Sequence, residues 1–139
     1  MTFRQSPLLL LFQVVTATVL VTALVSCGTQ DNPTLPIIVT FSQGFAPPAT
    51  LNTGAYAGIA VTVANDPKNA GASVSCTPVG ACGTFVGPGG GNGIPFCYLA
   101  PDAVPPGNKV TITATSVADT TKFVSGIITI VNGPPNPCP

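Results

Sequence analysis

The chain has 139 residues with four basic and four acidic side chains, a formal net charge of zero at pH 7; this length suits one domain with a single core and leaves no room for a second. Charged residues make up only 6% and there is no His, no Trp and no Glu, which removes the usual neutral-pH proton carrier and any basic stripe for nucleic acid. With 15 Gly and 16 Pro the chain is rich in turns, and its solubility rests on Ser, Thr and Asn in place of charge.

The first predicted element is an apolar run from Leu8 to Val25, preceded by Arg4 alone. It reaches the roughly 18 residues at which a membrane-spanning helix becomes possible. Against a permanent span stand Gln13, three threonines within the run, and the lack of Lys or Arg soon after Cys27, where a stop signal would sit. The run ends in Leu24-Val25-Ser26-Cys27-Gly28, which resembles the lipobox of a bacterial lipoprotein signal peptide. That resemblance implies a cleaved leader over residues 1–26 and a diacylglyceryl group on the Cys27 thiol, so that the mature chain starts at a lipid. It also implies outer-membrane sorting in a host with two membranes, because Gly28 stands where an inner-membrane retention signal has Asp. Several acyl chains, at ~0.8 kcal/mol per buried CH2, would hold such a chain at the membrane permanently.

Residues 27–36 then form a lipidated tether, with Gln, Asp, Asn, Thr and two prolines and little to bury. From Ile37 to Val131, β-branched runs alternate with Gly, Pro and Asn clusters, a pattern that favours an all-β sandwich or barrel. The clearest strand is Lys109 to Val117, where Val110, Ile112 and Ala114 point one way and Lys109, Thr111, Thr113 and Thr115 the other. Ile59, Val61 and Val63 alternate with Ala60 and Thr62, and Ile37, Val39 and Phe41 with Ile38 and Thr40. In the last strand, Phe123 to Val131, two sets compete for the interior; Val124, Gly126, Ile128 and Ile130 are taken as inward, leaving Phe123 and Ile127 outside. The segment from Gly87 to Gly93 lacks the Lys and Ser/Thr of a phosphate loop and opens no helix, so it is expected as a mobile loop. Residues 132–139, with four prolines, are expected as an extended tail.

Taken in order, Val61-Thr62-Val63-Ala64-Asn65-Asp66-Pro67-Lys68-Asn69-Ala70-Gly71, Cys76-Thr77-Pro78, Ala81-Cys82-Gly83-Thr84-Phe85, Tyr98-Leu99-Ala100-Pro101 and Val110 to Asp119 with Lys122 resemble the bacterial Ig-like repeats strung in tandem in large envelope proteins. The likeness covers roughly residues 36–131. It implies an immunoglobulin-like antiparallel β-sandwich of about seven strands behind the signal and lipid anchor. Such repeats commonly carry a Trp two residues before the first cysteine; here that position is Val74, so Phe85, Phe96 or Tyr98 must fill the volume.

Apart from Cys27, the cysteines are Cys76, Cys82, Cys97 and Cys138, an even set that three connectivities would satisfy. Thr77-Pro78-Val79-Gly80-Ala81 reads as a turn that brings Cys76 to Cys82, and the resemblance implies cysteines at both places. Cys97 is then left for Cys138. Without His and without paired CxxC motifs the set does not suit zinc. Asp66 and Asp119 lie in turns whose Asx chemistry accounts for them, whereas calcium would want several converging oxygens. No cofactor and no catalytic group is expected. Phe45, Phe123 and Ile127 are the candidate partner contacts, as apolar residues not needed for the core. The expectation is a noncatalytic, lipid-anchored module of the cell envelope that attaches to the membrane through Cys27 and meets an unidentified protein or glycan through its surface. The alternative is a passive spacer, a remnant of a longer repeat protein.

Overall fold

A computed structural model describes residues 35–87 and 91–136, all within the compact unit Thr34–Pro139. The expected leader, Cys27, most of the tether and Cys138 lie outside the described residues. The strands are β1 (Ile38–Phe41), β2 (Thr50–Asn52), β3 (Tyr56–Ile59), β4 (Val61–Ala64), β5 (Ala72–Thr77), β6 (Thr84–Val86), β7 (Phe96–Leu99), β8 (Lys109–Ser116) and β9 (Phe123–Val131). The only helical piece among the described residues is a 3-10 turn at Pro106–Asn108. The protein is therefore all-β, as its residue pattern predicts.

Hydrogen bonding orders the strands as β2-β9-β8-β5, as β3-β7-β6 and as the pair β1-β4. Every pairing is antiparallel apart from β2 with β9, which is parallel. The parallel pair is an addition to the expected antiparallel sandwich. Its cause is a change of partner: β1 pairs with β4, and the following chain places β2 beside β9.

Nine segments stand where about seven strands are expected, and the reason is local. β3 and β4 follow one another with only Ala60 between them. Alternation places Ala60 outside, yet it is 1% exposed. The chain after β1 covers it: the Ser42 N–H donates to Ala60 O at 2.8 Å and the Ala60 N–H donates to Phe45 O at 3.0 Å. Ala60 thus spends its backbone groups on a loop, and one strand path becomes two segments.

Between the sheets lies one core, built from Val39, Ile59, Val61, Val63, Phe96, Tyr98, Val110, Ile112, Ala114, Ile128 and Ile130, together with Ala72, Cys82 and Ala100. The expected inward sets of β1, β4, β8 and β9 agree with it, with Val124 and Gly126 half-buried at the start of β9. The aromatic volume is supplied jointly. Phe85 stands edge-on to Phe96 with centroids 5.3 Å apart and tilted against Tyr98 at 5.7 Å, a geometry that the ring quadrupoles favour. A glycine at inward position 126 has a steric reason, because a Cβ there would come 2.7 Å from Pro47 Cγ and 3.2 Å from Phe41 Cε2.

At the described end of the glycine-rich segment, Asn92 and Gly93 are held by hydrogen bonds. Asn92 accepts from the Val63 N–H at 2.8 Å and donates through Nδ2 to Val63 O at 3.0 Å, while the Gly93 N–H donates to Val61 O at 2.7 Å. This end of the loop is fastened along β4. The tail forms no strand through Asn136, as expected, but it too is held: Asn52 Nδ2 donates to Pro134 O, and the Tyr56 N–H to Asn136 O, each at 2.9 Å.

Candidate functional site

Cys76 and Cys82 are joined by a disulfide with their Cα atoms 5.8 Å apart, within the ordinary range for such a bridge. The turn between them closes through the Ala81 N–H donating to Pro78 O at 3.1 Å. Cys97, in β7 opposite Gly58 and Val86, is also engaged in a disulfide; its expected partner, Cys138, lies outside the described residues. So does Cys27, the expected lipid attachment point.

The acids serve their turns. Asp66 accepts from the backbone N–H groups of Lys68 at 3.1 Å and Gly71 at 3.0 Å, which fixes the β4–β5 connection. Asp119 accepts from the Thr121 hydroxyl at 2.7 Å and the Thr121 N–H at 3.0 Å, and these bonds hold its carboxyl below the ordinary value. Among the described residues no three His, Cys, Asp or Glu side chains come together as metal ligands would.

The three candidate contact residues are 40% (Phe45), 63% (Phe123) and 58% (Ile127) exposed, but they do not form one patch. Phe45 lies over Gly58 of β3, where an added Cβ would be in contact with its ring at 3.6 Å. Phe123 and Ile127 belong to β9, in the other sheet. Even these two are separated on their face, which is largely a field of hydroxyls. In register across β5, β8 and β9 stand Ser73, Thr115 and Phe123, then Ser75, Thr113 and Ser125, then Thr77, Thr111 and Ile127. The middle row is tied by a 2.9 Å hydrogen bond between the Thr113 and Ser125 hydroxyls. Alternation placed Phe123 and Ile127 on the same side of their strand; it carried no information on what stands between them.

Phe123 instead faces a different neighbourhood, one that residue-by-residue reading missed. With Thr121, Lys122, Ile37, Ile38 and Val39 it lines a shallow open cleft of about 240 Å3 between β1 and the start of β9. Ile38 is 50% exposed there. The signal available in the sequence was the outward position of Ile38 in its alternating run; its meeting with Lys122 depends on the packing of β1 beside β9.

No family of known proteins matches the chain, and neither does any curated protein or solved structure.

Proposed function

We propose that this chain is a noncatalytic, lipid-anchored, Ig-like protein of the bacterial cell envelope, most plainly of the outer membrane, acting through surface contacts as an interaction or adhesion module. The observation that carries the Ig-like reading is strand order. If β1 and β2 are two parts of a first strand and β3 and β4 two parts of a second, then β1-β4 with β3-β7-β6 follows the order A-B-E-D. β5-β8-β9 then follows C-F-G, the arrangement of immunoglobulin sandwiches. The anchor reading rests on Leu24-Val25-Ser26-Cys27-Gly28 and the apolar run before it. A sandwich of this kind hosts many unrelated functions, so the partner is left as a protein or glycan.

The anchor is tested by labelling cells with a clickable fatty acid and comparing wild type with Cys27→Ser. Label on the wild type and none on the variant is the expected result. An unlabelled wild type, or label that survives the substitution, overturns it. A passive spacer is the second reading, favoured by the separation of Phe45 from Phe123 and Ile127 on different sheets. Capture of a saturable envelope partner that alanine at these three positions abolishes, with folding retained, supports the interaction module; no saturable partner supports the spacer.

A further inference from the structure

The end of the domain from which the tether leaves carries a group of uncovered apolar side chains. Leu35 is 67% exposed, Ile38 50%, Val117 54% and Phe123 63%, and Ile38 and Phe123 line the same cleft as Lys122. Pro36 is held at this end, because Asn65 Nδ2 donates to Pro36 O at 2.9 Å. Asp66 and Asp119, the acids of this end, are turned onto backbone and hydroxyl donors of their own loops.

We propose that this end, through Leu35, Ile38, Phe123 and Lys122, rests on the phospholipid surface in which Cys27 is anchored. The inference depends on the lipid-anchor reading above and adds to it a face and an orientation. Three physical points support it. From Cys27 to Leu35 the chain can extend at most about 28 Å at ~3.5 Å per residue, so the surface around Leu35 is held close to the bilayer at high local concentration. Exposed aromatic and aliphatic side chains gain by entering the headgroup boundary, to a depth of roughly 5–10 Å for interfacial segments. Lys122, beside Phe123, can lay its methylenes along the apolar surface and keep its ammonium among phosphates.

The absence of Trp from the chain makes a clean test possible. Full-length chains carrying Phe123→Trp, Ile38→Trp or Val79→Trp are produced with lipoprotein processing and reconstituted in phosphatidylcholine–phosphatidylglycerol vesicles containing brominated acyl chains. Val79 is 90% exposed in the turn after β5, at the opposite end of the sandwich, and serves as the reference. Flotation with vesicles and the mass of the N-terminal peptide report the anchor separately. Expected are flotation of all three and quenching several-fold stronger, with blue-shifted emission, at positions 123 and 38 than at 79. Equal quenching at the three positions in chains that do float overturns the docking and leaves the anchor standing. Chains that carry no lipid and stay in solution overturn both.

Discussion

The Tyr98 hydroxyl donates to the backbone carbonyl of Cys82 at 2.6 Å, and the tyrosine is fully buried. A phenol inside an apolar core is tolerated only with such a partner, and here the partner is the residue that also closes the disulfide with Cys76. Core strand β7 and the Cys76–Cys82 turn are thereby coupled. Tyr98→Phe keeps the ring packing against Phe85 and leaves the Cys82 carbonyl without this donor. It is expected to destabilise the fold by about 1–3 kcal/mol, read from the urea unfolding midpoint at pH 7; an unchanged midpoint would show that the bond contributes nothing.

The same pair predicts a pH dependence. Burial pushes the Tyr98 pKa from 10.0 up to about 12, since the phenolate would lose its hydration. A folded-state value raised above the unfolded one means that the unfolded chain gives up the proton first. The contribution to stability is complete below pH 10 and is lost as pH rises toward 12. The difference in stability between wild type and Tyr98→Phe seen at pH 7 should therefore shrink across that window. A difference that stays constant from pH 9 to about 12 would contradict the assignment.

For the disulfides, the chain-entropy model gives a bridge across so short a loop about 2 kcal/mol. Replacing Cys76 and Cys82 together by Ser is expected to lower stability by about that amount while retaining the β-sheet circular dichroism spectrum. Peptide mapping without reduction is expected to join residue 76 to 82 and residue 97 to 138. The second link is supported by the tail, whose Asn136 accepts from Tyr56 two residues before Gly58, the register neighbour of Cys97. A free thiol at Cys138 in oxidised protein would contradict it.

How much of this was legible in the residues depended on the range of the interaction involved. The inward set Val110, Ile112 and Ala114 followed from alternation, which is a property of one strand and its half-buried environment. In Phe123 to Val131 alternation left two sets in competition, and the structure buries Ile128 and Ile130 and leaves Ile127 exposed. The Cys76–Cys82 bridge was within reach because its two ends are six residues apart. Ala60 was misplaced because the loop over it comes from residues 42–45, and no local pattern records that contact. β2 was missed as an element for a similar reason: three residues, Thr50–Asn52, become a strand by lying beside β9. The candidate contact residues were individually exposed as expected, but their distribution over two sheets is decided by pairing between distant segments, which alternation does not encode.

Asn92 shows the same limit at a single side chain, and it yields a sharp test. Its amide offers a carbonyl acceptor and two N–H donors; the acceptor and one donor meet the N–H and C=O of Val63 as a neighbouring strand would, and Nδ2 also donates to Asn69 Oδ1 at 3.3 Å. β4 is thus covered at a place where no described strand pairs with it on that side. Asn92→Ala removes all three bonds and is expected to cost about 1–2 kcal/mol, with faster amide exchange at Val63. Asn92→Asp separates the two halves of the interaction, because a carboxylate can still accept from the Val63 N–H but cannot donate to the Val63 carbonyl and repels it. Protection at Val63 should then be partly retained while stability at neutral pH falls and recovers on acidification, when the carboxyl regains a proton to donate. Equal exchange rates at Val63 in wild type and Asn92→Ala would mean that the side chain does not act as a strand edge at all.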